Sequence, residues 1–239
     1  MIPEWQSRTK LLLGSEALKV LKSSHVLVAG LGGVGAYAAE MLCRAGIGKL
    51  TIADGDKVQA SNRNRQLIAL HSTTGKEKAE LMKERLLDIN PELQVIAINE
   101  FLQVENTERI LEETYDYVVD AIDTLSPKVN LIHKTLLKGY PVISSMGSGG
   151  KLDPLLVQVC DISGSHTCKL AYNIRKQLHR LGVRKGFKVV FSPEVVSKDS
   201  VQLISGERNK RSTVGTVSYM PPVFGCLMAS VVIRDLISE

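Results

Sequence analysis

The feature that most constrains the fold is a short apolar segment that leads directly into glycines, HVLVAG at 25–30 followed by LGGVG at 31–35. Its apolar run predicts a buried strand, and the helix-forming residues that follow predict a helix that stops at Gly46. KLTIAD at 49–54 predicts the next strand. A strand, a helix and a strand in such short succession indicate a right-handed crossover between parallel strands.

The same alternation continues along the chain. We predict helices over 78–91 and 126–138, and strands over 93–98, 115–123 and 141–145. Strands that alternate with helices are typical of a doubly wound α/β fold, in which helices cover both faces of a mostly parallel sheet.

The pattern changes after residue 147. Strands are predicted over 155–162 and 187–192, and a helix over 166–181. Residues 197–213 are polar and predict a long loop, and 224–237 predict a closing apolar helix.

The size of the chain favours one domain with an elaboration. With 239 residues, of which 44% are hydrophobic, it can bury one good core. We therefore predict a single domain over 1–239, in which 1–160 hold a nucleotide and 161–239 bind a substrate and close the fold.

Composition also bears on location and metals. No apolar run reaches the length of a membrane span, and the first residues lack the basic-then-apolar pattern of a signal peptide, so we expect a cytoplasmic protein and no membrane partner. The four cysteines form no C-x-x-C pair, which argues against a disulfide framework and against a four-cysteine zinc site.

The glycine loop predicts a nucleotide site. Gly30 allows the tight turn after the strand, Gly32 and the neighbouring Gly33 let backbone N–H groups approach a phosphate, and Gly35 lets the helix pack on the sheet. Asp54, at the end of the next strand, can accept hydrogen bonds from ribose hydroxyls. A tight turn alone would also explain these glycines, and the motif does not choose between NAD, FAD and ATP.

Charged residues further on favour ATP. Asn62 and Arg65 follow the second strand, and Lys78 opens the next helix. A triphosphate needs positive charge, and arginine suits planar phosphate contact. Asp123, at the predicted end of a strand, could hold Mg²⁺ between phosphates. Taken singly, Arg65 and Lys78 could be surface charges and Asp123 a helix N-cap.

Five motifs in this order resemble the adenylating domain that ubiquitin-activating enzymes share with the bacterial ThiF and MoeB proteins. The resemblance covers about residues 5–160 and rests on the segments RTKLLLG, GLGGVG, DGDKVQASNRNRQ, GKEKA and DAIDT. It implies that a carboxylate attacks the α-phosphate of ATP, giving an acyl-adenylate and pyrophosphate.

The resemblance also implies roles for individual residues. Asp54 would contact the ribose, and Asp123 would coordinate Mg²⁺. The implied phosphate contacts are Asn62, Arg65 and Lys78. Arg8 matches an arginine that reaches across a homodimer into the ATP site of the other subunit.

The second half of the chain resembles the tRNA threonylcarbamoyladenosine dehydratase family. The matching segments are SNRNRQ, DAIDTLSPKVNLI, VISSMGSGGKLDP, VQVCDI and KVVFSPE. The likeness implies that ATP and Mg²⁺ serve to adenylate the threonyl carboxylate of a modified adenosine in tRNA, after which an internal nucleophile closes a ring and AMP leaves. It leaves open whether a monovalent cation or a sulfur-transfer protein also binds.

A basic stretch offers a surface for that tRNA. Between His166 and Pro193 there are seven Lys or Arg residues and no Asp or Glu. The candidate phosphate contacts are Arg175, Lys176, Arg180, Arg184 and Lys185, together with the cluster Arg208–Arg211. A solvated helix face is the ordinary explanation for such a run. The rings of Tyr172 and Phe187 could stack on a base, although a core position is the more common one for both.

Three alternatives remain open on sequence alone. ThiF- and MoeB-type enzymes activate the C-terminus of a ubiquitin-like or sulfur-carrier protein, but they usually carry two C-x-x-C pairs that this chain lacks. A NAD-dependent oxidoreductase and a nucleotide-binding module without turnover are the others. Cys168 stands where the resemblance leads us to expect the aspartate of an Asp-Pro pair. We expect Cys168 and Cys226 to be buried or idle thiols rather than nucleophiles.

Overall fold

A seven-stranded sheet organises the chain, which a computed structural model describes over residues 2–203 and 212–238. Six of its strands are parallel, and β6 runs antiparallel to β7 at one edge. The strands are β1 (His25–Ala29), β2 (Lys49–Ala53), β3 (Gln94–Ile98), β4 (Tyr117–Asp120), β5 (Val142–Ser145), β6 (Gln158–Asp161) and β7 (Lys188–Phe191).

Seven α-helices accompany these strands in the described residues. They are α1 (Ser7–Ser23, interrupted at Gly14), α2 (Gly35–Ala45), α3 (Lys78–Ile89), α4 (Val104–Ile110), α5 (Leu125–Leu137), α6 (Lys169–Arg180) and α7 (Met220–Ile237). A separate antiparallel ribbon consists of β8 (Val201–Leu203) and β9 (Ser212–Val214).

The strand order is β3-β2-β1-β4-β5-β7-β6. The chain therefore moves outward from β1 to β3 and then returns to β4 on the other side of β1. Ala29, the last residue of β1, lies in register with Asp120, the last residue of β4. This reversal of direction creates a crevice at the carboxyl ends of β1 and β4, where open α/β sheets bind ligands.

Alternate residues of each strand face two different layers of helices. In β1, Val26 and Val28 pack with α1, α2, α3 and α7, whereas Leu27 and Ala29 pack with α4, α5 and α6. Because both faces are covered, the central strands are buried throughout, as parallel strands in α/β proteins are.

Helix α7 is long and apolar enough to cross a bilayer by length and composition alone. Half of it is buried, and Met220, Phe224, Met228 and Val232 lie in the core against α2 and the sheet. Packing within the fold accounts for its apolar character.

The predicted fold class is confirmed, with differences in detail. Helices α1 and α4 were not predicted. The predicted loop at 197–213 contains the β8–β9 ribbon, and residues 204–211, including Arg208–Arg211, lie outside the described residues. The strand predicted over 115–123 ends at Asp120, so Asp123 belongs to the following loop.

Candidate active site

The glycine loop joins β1 to α2, and two of its glycines have no room for a side chain. Gly30 has φ +88°, and a Cβ there would lie 2.8 Å from the carbonyl oxygen of Ala121. A Cβ on Gly35 would lie 1.8 Å from the carbonyl oxygen of Gly30. These contacts support the tight turn and the close helix packing that were predicted for the two positions.

The loop is open at Gly32, whereas a Cβ on Gly33 would lie 2.9 Å from the Cβ of Pro221. A Cβ on Gly32 would meet nothing nearer than Gln66 Nε2 at 3.8 Å, and α2 begins without a side-chain cap on its first N–H groups. Uncapped N–H groups at a helix start attract an anion. This part of the loop can therefore accept a phosphate.

Asp54 fastens the glycine loop to the end of β2. Its Oδ2 accepts the N–H of Leu31 at 2.6 Å, and its Oδ1 accepts the N–H of Asp56 at 2.8 Å. Burial raises the pKa of the Asp54 carboxyl above its usual 3.8, while the nearby Lys78 ammonium and the two N–H groups oppose that rise. Each oxygen still has a lone pair for another donor, such as a ribose hydroxyl.

Lys78 lies beside Asp54, at the first position of α3. Its side chain is only 5% exposed, and Nζ is 2.9 Å from Oδ2 of Asp56. This buried ammonium lies near the carboxylates of Asp54 and Asp56, so it keeps a positive charge close to the residue that fastens the glycine loop. The ammonium can exchange its partner when a more strongly charged anion arrives.

The segment SNRNRQ begins within a short 3-10 turn, Ala60–Asn62, and its last two residues pack against the glycine loop. Asn62 is buried, and its Oδ1 accepts the N–H of Gln59 at 3.1 Å. Arg65 packs against the loop, because its Cγ would lie 3.3 Å from a Cβ on Gly33. The Nη1 atom of Arg65 donates to the Ser61 carbonyl at 3.2 Å and to Asn64 Oδ1 at 2.8 Å.

Gln66 is a candidate site residue that the sequence interpretation missed. Its side chain is 9% exposed, and Oε1 finds no hydrogen-bond partner among the described residues. A buried amide oxygen without a donor is unusual, and this one belongs to the side chain nearest the open Gly32. Its position directly after Arg65 in the segment SNRNRQ could have indicated that it belongs to the site.

Asp123 lies in the loop between β4 and α5, at the same sheet edge, and its side chain is exposed. The residues just before it, Ala121 and Ile122, contact Gly30. Within the described ranges no three His, Cys, Asp or Glu side chains group together as a metal site. A single exposed carboxylate nevertheless fits Mg²⁺, which proteins often bind through one or two carboxylates plus substrate phosphates and water.

The end of β4 carries a second aspartate that the sequence interpretation also missed. Asp120 and Lys128 form an ion pair of 2.8 Å, and both side chains are fully buried. Burial raises the pKa of the Asp120 carboxyl, and the attraction of Lys128 opposes that rise.

Arg8 is not part of this cluster as far as the described contacts go. It is exposed near the start of α1, on a segment whose Leu11 and Leu12 are 88% and 83% exposed. An arginine beside two exposed leucines is the pattern expected of a surface that another subunit covers.

The predicted tRNA-binding cations divide into two groups. Lys176, Arg180, Arg184 and Lys185 are exposed, and none of them forms an ion pair within the part of the chain that the structure describes. Arg175 is half-buried, and its Nη1 donates to the carbonyl of Ser165 at 2.6 Å and also to the hydroxyl of that residue. This contact ties α6 to the segment before it.

The two aromatic residues near this surface differ. Phe187 is 4% exposed, so its predicted core position is confirmed. Tyr172 is 58% exposed, so the core position expected for it is wrong. On α6, Tyr172 follows Lys169 by three residues and precedes Lys176 by four, which places the ring on one face with the cations.

The two cysteines of interest also differ. Cys168 is buried and precedes α6 as its N-cap, without a side-chain hydrogen bond to the helix. Cys226 is exposed on α7, so burial does not apply there, and the idle thiol that was expected as the alternative stays a prediction.

Comparison with known proteins shows the family. The model of the ThiF family matches residues 6–239. The tRNA threonylcarbamoyladenosine dehydratase of Bacillus subtilis (strain 168) is 41% identical over 240 residues, covering 98% of this chain and 94% of that protein. The crystal structure of E. coli tRNA N6-threonylcarbamoyladenosine dehydratase, TcdA, in complex with ATP has a TM-score of 0.90 at 33% identity and covers 100% of this chain and 97% of the other.

A relative with a different printed activity matches a shorter stretch. The adenylyltransferase and sulfurtransferase UBA4 of Lodderomyces elongisporus is 38% identical over 131 residues, which are 55% of this chain and 29% of that protein. The likeness to the dehydratases spans nearly the whole chain, as the motifs in the second half predicted. The resemblance inferred from the sequence is thus confirmed, and the chain belongs to the ThiF family.

Proposed function

We propose that this protein uses ATP to cyclise N6-threonylcarbamoyladenosine in tRNA, with net loss of one water. The observation that carries the proposal is the meeting of the open glycine loop, Asp54, Arg65 and Lys78 at one sheet edge. The dehydratases named above match both this edge and the second half of the chain.

The chemistry has two steps. A carboxylate oxygen of the threonyl group attacks the α-phosphorus of ATP, the bond to the β-phosphate breaks, and pyrophosphate leaves. An internal nucleophile of the same modification then attacks the acyl carbon and loses its proton, and AMP leaves with the oxygen that the carboxylate contributed. The second step is intramolecular, so correct positioning does most of the work, and no side-chain nucleophile is needed.

The roles of the nucleotide-site residues follow from where they lie. The glycine loop binds phosphate through backbone N–H groups, and Asp54 accepts the ribose hydroxyls. Arg65 packs against the loop, Asn62 lies in the same segment and Lys78 lies beside Asp54 and Asp56, and these three residues offset the phosphate charge as the bond to pyrophosphate breaks.

Asp123 is the residue that would hold Mg²⁺, which supplies further positive charge to the phosphates when it is bound. Its exposure and its place next to the segment that contacts Gly30 support this role.

The active form is a homodimer in which Arg8 of each subunit reaches the ATP site of the other. The exposed Leu11 and Leu12 next to Arg8 supply apolar area for such an interface. A cytoplasmic location follows from the use of ATP and tRNA. A monovalent cation and a sulfur-transfer protein are further candidate partners.

The tRNA binds to the exposed face of α6 and to the turn that follows it. Lys176, Arg180, Arg184 and Lys185 are free to meet phosphates, and each such contact releases counterions. Arg175 anchors α6 through one nitrogen, and its contact with RNA stays a prediction. In this division of the chain, residues 1–160 activate the carboxylate and residues 161–239 hold the RNA.

The test is direct. Purified protein, ATP and Mg²⁺ are incubated with tRNA from cells that lack the activity, and the modified nucleoside is then weighed by mass spectrometry. We expect the loss of one water, absent in Arg65→Ala and Asp123→Ala variants. If pyrophosphate forms only when a carrier protein ending in Gly-Gly replaces tRNA, the proposal is wrong and activation of such a carrier is the function.

A further inference from the structure

A fully buried ion pair lies directly behind the nucleotide site. Nζ of Lys128, on α5, is 2.8 Å from Oδ2 of Asp120 at the end of β4, and neither side chain has any exposed surface. Removing two charges from water costs several kcal/mol per ion, so such a pair is poor evidence for added stability. The pair is more readily explained by the position in which it holds the neighbouring backbone.

The pair holds Ile122 by both of its backbone polar groups. Oδ1 of Asp120 accepts the N–H of Ile122 at 3.1 Å, and Nζ of Lys128 donates to the carbonyl oxygen of Ile122 at 2.9 Å. The hydroxyl of Ser144 on β5 donates to Oδ2 of Asp120 at 2.6 Å, which fixes the carboxylate in turn. The carbonyl of Ile122 belongs to the peptide bond that leads into Asp123.

The segment that the pair holds, residues 121–123, also packs against the glycine loop of the candidate nucleotide site. The Ala121 carbonyl oxygen lies 2.8 Å, and the Ile122 nitrogen 3.3 Å, from the position that a Cβ on Gly30 would take. The Ala121 Cβ lies 3.0 Å from the corresponding position on Gly35. A shift of this segment would therefore move both the start of the glycine loop and the carboxylate of Asp123.

We propose that Asp120 and Lys128 are positioning residues, which set the 121–123 segment so that Asp123 meets Mg²⁺ on bound ATP. The inference rests on the proposed function of the site. Neither side chain has exposed surface with which to touch a nucleotide, because both are buried behind the segment that packs against Gly30. Groups that orient a metal ligand in this way typically contribute about 10–100-fold in metal affinity or activity.

The experiment uses the double variant Asp120→Asn/Lys128→Met, which removes both charges and leaves no lone buried ion. ATP binding to the full-length protein is measured by calorimetry over a range of Mg²⁺ concentrations and again in EDTA, with thermal unfolding in parallel. We expect the Mg²⁺ needed for half-maximal tightening of ATP binding to rise about 10-fold, with a smaller change in ATP affinity in EDTA. Arg85→Met, which breaks the ion pair with Glu40 between α2 and α3, is the matched control and should leave the Mg²⁺ dependence unchanged.

The same change is then made in an Asp123→Asn background. If Asp120 and Lys128 act through Asp123, the additional substitutions cause no further loss of Mg²⁺ dependence there. A loss of equal size in both backgrounds, or a double variant that unfolds at a lower temperature but keeps the wild-type Mg²⁺ dependence, overturns the inference.

ATP binding is measured without tRNA. Absence of cyclisation by the wild-type protein would therefore count against the proposed function, and the Mg²⁺ dependence of ATP binding could still be interpreted. If the double variant does not fold, Ser144→Ala is measured in its place, with the same direction of change expected and the same outcomes counting against the inference.

Discussion

Charged residues at the nucleotide site and on α6 are held in opposite ways. Lys78 is buried against Asp56, and Arg65 is bonded to Ser61 and Asn64 next to the glycine loop. Lys176 and Arg180 point into solvent, with no ion pair within the described ranges. The first arrangement fixes charges at chosen points before a ligand arrives, and the second offers charge without a fixed geometry.

The difference matches two kinds of task. Stabilising charge on a phosphate while a bond breaks requires donors that are already in place, because an error of about 1 Å can cost 10²-fold in rate. Holding the backbone of an RNA requires only enough positive charge near many phosphates. Substitutions at the nucleotide site should therefore lower the reaction rate, whereas substitutions on α6 should weaken tRNA binding and its salt dependence.

The largest effect is expected for Arg65→Ala. We expect tRNA-dependent release of pyrophosphate to fall by about 10³-fold or more, because a single well-placed arginine contributes about that much to other phosphoryl-transfer sites. Arg63→Ala is the matched control, since Arg63 lies in the same segment but is exposed, and among the described residues its side chain bonds only to the Ala60 carbonyl. Equal losses for both arginines would show that the segment acts through its total charge.

The double variant Lys176→Ala/Arg180→Ala should weaken tRNA binding and leave ATP binding unchanged. The plot of log affinity against log salt concentration should lose about one unit of slope for each phosphate contact removed. Lys19→Ala/Lys22→Ala removes two cations that are paired with Glu16 and Glu92, and should change the slope little. An unchanged slope in the α6 variant would place the RNA elsewhere.

Tyr172→Ala should weaken tRNA binding by about 1–3 kcal/mol if its exposed ring stacks on a base. Because stacking involves no ion release, the salt dependence should stay as in the wild type. Tyr172→Phe keeps the ring and should bind normally. A slope that changes with the ring, or a Phe variant as weak as Ala, would argue against stacking.

The smallest effect concerns pH. The raised pKa of Asp54 means that its carboxylate takes up a proton at a higher pH than an ordinary aspartate with a pKa of 3.8. ATP binding should therefore weaken as pH falls toward that range, because protonation removes an acceptor for the ribose. Folding stability should change with the opposite sign, since a carboxyl with a raised pKa favours the folded state at low pH and loses that contribution as pH rises. Calorimetry at a series of pH values measures the change in ATP affinity. The Asp54→Asn variant, which has no carboxyl at this position, should lack this pH dependence.

Much of the fold was accessible from the sequence because apolar runs, glycines and helix formers alternate cleanly from His25 to Ser145. Helix α4 was not predicted because its seven residues show little periodicity of apolar side chains. The end of β4 was placed too late because Ala121 and Ile122 continue its apolar run. What ends the strand is the carboxylate of Asp120, which binds the N–H of Ile122 instead of leaving it to a neighbouring strand.

The side chains of the candidate nucleotide site could be proposed only in part from the sequence, for a physical reason. Residues in a motif carry local signals, so Asp54, Arg65 and Lys78 could be proposed from spacing. The partnership of Asp120 with Lys128 joins a strand end to a helix across a loop, and no periodicity marks it. The exposure of Tyr172 depends on how α6 is rotated against the sheet, which is set by Ile174 and Leu178 packing in the core.

The contact from Arg175 to Ser165 has a consequence for variation among related proteins. Because α6 is secured by that contact and by its inward residues, its outward positions can change without disturbing how the helix sits. A relative could exchange those positions to suit another set of tRNAs and inherit the ATP chemistry intact. Preference for RNA and competence in catalysis can in this way evolve at separate rates within one chain.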